Sequence, residues 1–288
     1  MQIKVWSLSL MLLLSISASC QNQEEEEPVA VLPEVSYKLP DIDLSTWKVT
    51  LPIGRPTEVL PPEILDYANV DVLKPFMYND SIEGAIVFYT YPGATTQNTS
   101  YSRTELRELM DGGNGKVNWT FKQGGKMRGR LSVPRISKDE DGDYHRTIIM
   151  QIHGRLTDEQ RELIGASSNN APPMLKIYWT DGYVRVKTKV LKNLDADYEE
   201  ILETDSWGDD EGFNFDTYVG FDPFELSVEV NEKQMIIRLN NEEEVVYEGI
   251  HIEKWNVFEN YFKAGNYLGT LDSNAFSVVK YYELEVEH

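Results

Sequence analysis

The chain has 288 residues, with 27 basic residues against 48 acidic, a formal net charge of -21 and a single cysteine. This balance excludes general nucleic-acid binding, which needs Lys and Arg on phosphates, and excludes capture of an acidic polymer by net charge alone. With 41% hydrophobic residues, 16 Tyr, 10 Phe and 6 Trp, the chain has material for a sizeable core, and its length suits one large all-β domain or two small ones.

In chain order, the first segment reads as a signal peptide over residues 1–19. Lys4 supplies a positive start, and the apolar run from Leu8 to Ile16 is too short to remain as a membrane span. Ser17, Ala18 and Ser19 then lead to Cys20. The pattern resembles a bacterial lipoprotein signal, in which Cys20 would be lipidated and become the new N-terminus. An ordinary secretory signal is the alternative, and both imply an exported protein, either outer-membrane lipoprotein or secreted. Removing residues 1–19 takes away only Lys4, leaving 26 basic residues against 48 acidic. Because Cys20 is the only cysteine, the mature domain has no disulfide and no thiolate metal site, so its stability must come from packing.

Residues 20–40 read as an acidic tether. Glu24 to Glu27 repel one another, and Pro28, Pro33 and Pro40 discourage regular structure. The folded domain is expected over 41–288. Trp47 to Ile53 reads as an edge strand, and strand signals then dominate: Ala85–Tyr91, Arg103–Met110, Gly125–Val133, Thr147–His153, Lys176–Trp179, Tyr183–Val190 and further runs to Val286. They are rich in β-branched and aromatic residues and separated by Gly, Asp, Asn or Pro. Thr180-Asp181-Gly182 and Asn240-Asn241 fit hairpin turns. Two stretches read as helical, Pro61 to Val70 and Thr157 to Ile164; Thr157 and Gln160 form a capping box in the second. Residues 154–174 are expected to form a long loop over the sheet. The whole is an all-β sandwich of two antiparallel sheets.

Three motifs could carry chemistry. In Arg103-Thr104-Glu105-Leu106-Arg107-Glu108, strand alternation puts Arg103, Glu105 and Arg107 on one face. That face fits a groove in which guanidiniums bind carboxylates, and equally a surface ion-pair ladder. In Gln151-Ile152-His153, Gln151 and His153 share a face; a histidine in a strand is as readily structural as catalytic. In Tyr261-Phe262-Lys263-Ala264-Gly265-Asn266-Tyr267, Tyr261, Lys263, Gly265 and Tyr267 share a face, and Gly265 leaves room beside the backbone. Basic residues also alternate as Lys126, Arg128, Arg130 and as Arg185, Lys187, Lys189. Scarce positive charge is thus gathered on a few strand faces, which fits either a locally basic groove or ordinary solvated sides.

Taken together and in this order, RTELRE at 103–108, QIH at 151–153 and YFKAGNY at 261–267 resemble the polysaccharide lyase family 7 alginate lyases over about residues 41–288. The resemblance implies a jelly-roll β-sandwich with an open concave groove. It also implies β-elimination on a 1,4-linked uronate polymer (alginate), giving 4,5-unsaturated oligosaccharides. By motif, the implied catalytic set is Arg103, Gln151, His153 and Tyr267. Arg107, Lys263, Tyr261, Arg128, Arg185 and Lys187 would bind substrate, with Glu105 as a brace behind them.

In the family the isoleucine of QIH goes with activity toward guluronate, so the resemblance implies guluronate preference, and a loop at 154–174 closing one end of the groove would imply exolytic action as in exolytic members. Where the family often has glutamine two residues beyond the last tyrosine, this chain has Gly269. No cofactor or metal is called for, no nucleic-acid or membrane contact beyond the lipid anchor is expected, and the protein is expected to be a monomer. The rival readings are a non-catalytic acidic-polysaccharide-binding sandwich and a glycoside hydrolase with two carboxylic acids across a groove.

Overall fold

The computed structural model describes residues 37–95 and 99–288. The signal segment, Cys20 and the acidic run lie outside the described residues. Among the described residues, the chain forms β1 (Trp47–Leu51), β2 (Thr57–Val59), β3 (Met77–Asp80), β4 (Ala85–Thr90), β5 (Arg103–Glu108), β6 (Trp119–Thr120), β7 (Gly125–Ile136), β8 (Thr147–Arg155), β9 (Asn170–Thr180), β10 (Tyr183–Leu191), β11 (Trp207–Asp209), β12 (Phe213–Tyr218), β13 (Phe224–Val230), β14 (Gln234–Leu239), β15 (Glu243–Glu248), β16 (Glu259–Leu268) and β17 (Ser277–Glu287). Three short helices interrupt them: α1 (Asp158–Leu163), α2 (Tyr198–Leu202) and α3 (Ile250–Trp255).

The strands make two antiparallel sheets in a jelly-roll sandwich. One runs β11-β10-β9-β8-β16-β5-β1-β2, with β12 also on β10 and β6 on β16; the other runs β15-β14-β13-β7-β17-β4-β3. Alternation explains the packing. Met150 and Ile152 of β8, Phe262 and Ala264 of β16 and Leu106 of β5 point inward and join Phe88, Met127, Leu131 and Tyr281 of the other sheet in one buried cluster. Each large apolar side chain so buried contributes about 1.5–3 kcal/mol, which lets the fold stand without disulfides.

Several local expectations need correction. Trp47–Leu51 is not an edge strand, because β2 pairs along its outer side. Residues 61–70 hold only a 3-10 turn at Glu63–Asp66, which lacks a side-chain cap and buries only Ile64. The loop expected over 154–174 is shorter, since β8 extends to Arg155 and β9 begins at Asn170. Within it α1 forms with both arms of the capping box, Thr157 accepting from the Gln160 N–H and Gln160 accepting from the Thr157 N–H. Asn240 and Asn241 both adopt positive φ (52° and 56°) in the three-residue connection between β14 and β15, where the Glu242 N–H donates to the Leu239 carbonyl.

Candidate active site

The three motifs lie on adjacent strands. β16 pairs with β5 through Lys263↔Arg107, Gly265↔Glu105 and Tyr267↔Arg103, and with β8 through Tyr261↔His153 and Lys263↔Gln151. Three segments far apart in the chain thereby turn Arg103, Gln151, His153, Tyr261, Lys263 and Tyr267 onto one side of the sheet. There they line a cleft of about 820 Å³. Ala166, Ser167 and Ser168, from the loop after α1, form part of its wall, and Lys176 and Lys189 add positive charge from β9 and β10.

A local irregularity shapes this floor. The pairing of β16 with β8 shifts register between Ala264 and Tyr267. Gly265 there has φ +137°, and a Cβ would come within 2.8 Å of the Thr104 carbonyl oxygen and 2.9 Å of the Glu105 Cα, so only glycine fits. Next to it Asn266 is buried and fully bonded. Its amide donates to the Phe88 and Ser277 carbonyls, while its side-chain oxygen accepts from the Thr147 and Ser277 hydroxyls. Tyr267 therefore projects from a backbone pinned on both flanks.

Glu105 is the buried hub, 2% exposed. Its carboxylate accepts from Gln151 Nε2 at 2.5 Å and from Lys263 Nζ, and lies 3.7 Å from Arg103 Nε. That last separation is too long for a hydrogen bond. Arg103 Nε is indeed buried without a hydrogen-bond partner, and the guanidinium sits 5.6 Å from the Tyr267 ring centroid. Arg103 also lines the cleft, so its planar fork is placed to receive an anion there.

His153 donates through Nδ1–H to the Gly154 carbonyl at 2.9 Å. Since a carbonyl can only accept, this fixes the tautomer and leaves Nε2 with its lone pair, without a hydrogen-bond partner among the described residues. The ring stacks on Tyr261 at 5.2 Å and 9°, and Tyr261 is backed by the Arg107 guanidinium at 4.1 Å. Burial, then Lys263, Arg103 and Lys176, pushes the His153 pKa from 6.5 down to about 3. At neutral pH the ring is therefore neutral. Burial raises the Tyr267 pKa above the ordinary range against the pull of Arg103, and lowers that of Lys263 to about 8 against the pull of Glu105. The cleft thus offers a neutral imidazole, a protonated phenol and an unmet guanidinium.

Not every residue expected to bind substrate comes to the cleft. Arg128 is misplaced in the sequence reading: it lies on β7 of the other sheet and pairs with Glu225 at 3.2 Å. Alternation shows that Lys126, Arg128 and Arg130 share a face, but not which sheet that face belongs to. Arg107 is on the right strand but does not line the cleft; it donates to the Glu108 and Gly115 carbonyls and to Asn118 Oδ1 and so buttresses Tyr261. Arg185 donates to Asn214 Oδ1 and the Glu211 carbonyl, and Lys187 to the Asp210 carbonyl. The face they share continues to Lys189, which does reach the cleft. Lys176 was missed because it stands alone between apolar residues; its pairing with Gln151 reveals it. Among the described residues, no group of three His, Cys, Asp or Glu side chains is arranged to hold a metal ion.

A family model for alginate lyase matches residues 42–288. The chain belongs to the alginate lyases. Solved structures agree. One variant of the family 7 alginate lyase A1-II', determined in complex with product (GGG), is 26% identical with a TM-score of 0.68, covering 86% of this chain and 96% of that one. Alginate lyase AlgAT5 of polysaccharide lyase family 7 is 23% identical with a TM-score of 0.63, covering 87% of this chain and 98% of its own. Alginate lyase PA1167 from Pseudomonas aeruginosa is 22% identical with a TM-score of 0.61, covering 85% and 99%; these last two bear on the fold alone. A search of curated proteins finds no match. As an alginate lyase, the protein is an enzyme that cleaves uronate polymer by β-elimination, so the readings as a mere binding module or a glycoside hydrolase fall away.

Proposed function

We propose that Arg103, Gln151, His153 and Tyr267 carry out the elimination on the cleft floor. The C5 proton of a uronate is only weakly acidic, because the ionised carboxylate beside it is a poor electron sink. Arg103 and the remaining N–H of Gln151 bind that carboxylate and stabilise the charge that develops on it, the largest energetic contribution to such a step. The base removes the C5 proton while Tyr267 gives its phenolic proton to the departing O4, and the electron pair forms the C4–C5 double bond. His153 Nε2 is the base for one C5 epimer; for the other, Tyr267 enters as the phenolate, its proton lost beforehand to solvent with the help of the Arg103 charge, takes the C5 proton and passes it on to O4. Lys263 and Tyr261 flank the sugar, and Glu105 holds Gln151 and Lys263 in place.

The buried, unpartnered Nε of Arg103, beside a neutral His153, is the observation that carries this reading. Guluronate preference and release of small products from chain ends belong to the same proposal, supported by Ile152 and by the wall at 166–168. So does an exported monomer, held at the outer membrane through a lipid on Cys20. The test is to follow the ultraviolet absorbance of the conjugated unsaturated uronate on separate guluronate and mannuronate blocks, with mass analysis of early products. Faster absorbance on guluronate blocks with small early products is expected. Mixed large fragments at early times would refute exolytic action, and absorbance only on mannuronate would refute the preference.

A further inference from the structure

Outside the catalytic cluster, one cation on the same face of the sheet stands apart. Arg146 immediately precedes β8. Among the described residues its side chain makes neither a hydrogen bond nor an ion pair, unlike Arg155, Arg185 or Arg238. Its guanidinium is nonetheless seated, lying 5.3 Å from the ring centroid of Tyr178. Tyr178 is 8% exposed and belongs to β9, two residues along from the cleft-lining Lys176, so alternation turns both to the cleft side.

Residue 269, beside this seat, is glycine. Gly269 donates its N–H to the Arg146 carbonyl at 2.9 Å. A Cβ at 269 would meet Arg146 Cγ at 3.1 Å and Nε at 3.3 Å. Gly269 also follows Tyr267 by two residues, so any side chain there would point to the cleft side through the space that the Arg146 stem now fills. A side chain at 269 would crowd the Arg146 stem where it crosses from the β8 edge onto the Tyr178 ring.

We infer that Arg146, carried on Tyr178 and admitted by Gly269, is a separate carboxylate subsite that grips a uronate ring neighbouring the one that reacts. The inference rests on the reading of the Arg103 cluster as the reacting site. β9, which carries Tyr178, lies three strands from β5, which carries Arg103, a separation of about 14 Å, so the reacting ring's carboxylate on Arg103 is a different group from the one Arg146 meets. A planar fork already held over an aromatic ring loses little freedom on binding a carboxylate. Asp209, the acidic side chain whose charge reaches Tyr178, is engaged by Lys189 at 2.5 Å, leaving Arg146 its charge for the polymer.

The test uses the whole folded enzyme and uronate oligomers of graded length, with unsaturated product followed by absorbance. Arg146→Ala is expected to lower kcat/KM on long oligomers about tenfold, the scale of one charge-assisted hydrogen bond, mainly through KM. The loss should shrink as the oligomer shortens. Arg146→Lys should recover part of it, and Gly269→Leu, which fills the seat, should reproduce the length-dependent loss. The same fractional loss at every length, or no loss at all, overturns the subsite while leaving the catalytic assignment intact. A wild-type enzyme that forms no unsaturated product overturns both. Should Gly269→Leu fail to fold, the Arg146 pair decides alone.

Discussion

The Tyr281 hydroxyl, projecting from the opposite sheet, donates to the Ile149 carbonyl at 2.5 Å. The same oxygen lies 3.4 Å from the Gly265 N–H, which it accepts. Both backbone groups sit where strand pairing slips register, one beside Gln151 and the other beside Tyr267. One buried phenol thus satisfies the two groups that the irregularities leave over. Tyr281→Phe should destabilise the fold by about 1–3 kcal/mol, the cost of an unmet buried polar group, and should lower kcat more than it raises KM. Thermal unfolding and steady-state kinetics check this; unchanged kcat in a destabilised variant would mean the phenol serves stability alone.

Replacing His153 with Ala or Tyr267 with Phe should each reduce turnover by about 10²-fold or more, the usual scale for a lost proton-transfer group. Circular dichroism should show the sheets intact. Full activity in both variants would defeat the assignment of acid and base.

Glu105 neutralises Lys263 inside the sheet floor. Glu105→Ala leaves a buried ammonium unpaired, and a loss of about 3–5 kcal/mol is expected. The double variant Glu105→Ala with Lys263→Met should recover much of that stability but not the activity. Denaturant unfolding of the three proteins tests the coupling.

Two histidines should act on stability with opposite sign. His153 is depressed to about 3 in the fold, so the unfolded chain takes up a proton first, and stability is lost as pH falls from 6.5 toward 3. His288 is raised despite its partial burial, because Glu108 accepts its Nε2–H at 2.5 Å. Its contribution is complete below 6.5 and is lost as pH rises through the higher folded value. His288→Ala should therefore flatten the fall in melting temperature above neutrality, and His153→Gln the fall on the acid side. Melting curves across pH measure both.

Attraction of the polymer by the cleft, where Lys176, Lys189, Lys263 and Arg103 outnumber the paired Asp209 and Glu105, is a local effect on an acidic body. Activity at low substrate should drop as salt passes 0.1 M and the screening length falls below about 10 Å. A flat response would mean that hydrogen bonds rather than the field capture the chain.

Period-two alternation made most of the site legible, because it decides which side chains share a face whatever the partner strand. Gln151 with His153, and Lys263 with Tyr267, needed nothing more. Register and sheet membership are set by pairing across long chain separations, which a single strand does not encode. That is why Arg128, identical in pattern to Arg185, proved to belong to the other sheet, and why Lys176 escaped notice. The shift of His153 was also hidden: a histidine's ordinary value says nothing of the ring above it or of cations from three other strands. Glu108 looked like part of the charged motif, yet its carboxylate faces the core and accepts from the Trp119 indole and the Phe262 N–H.

The cleft draws its reacting groups from paired strands but part of its wall from the segment after α1. A helix capped at Thr157 and Gln160 and tethered to the Val257 carbonyl anchors that wall without touching the proton-transfer residues. Recasting residues 165–169 therefore offers a way to alter which lengths of oligosaccharide leave the enzyme while its chemistry stays as it is.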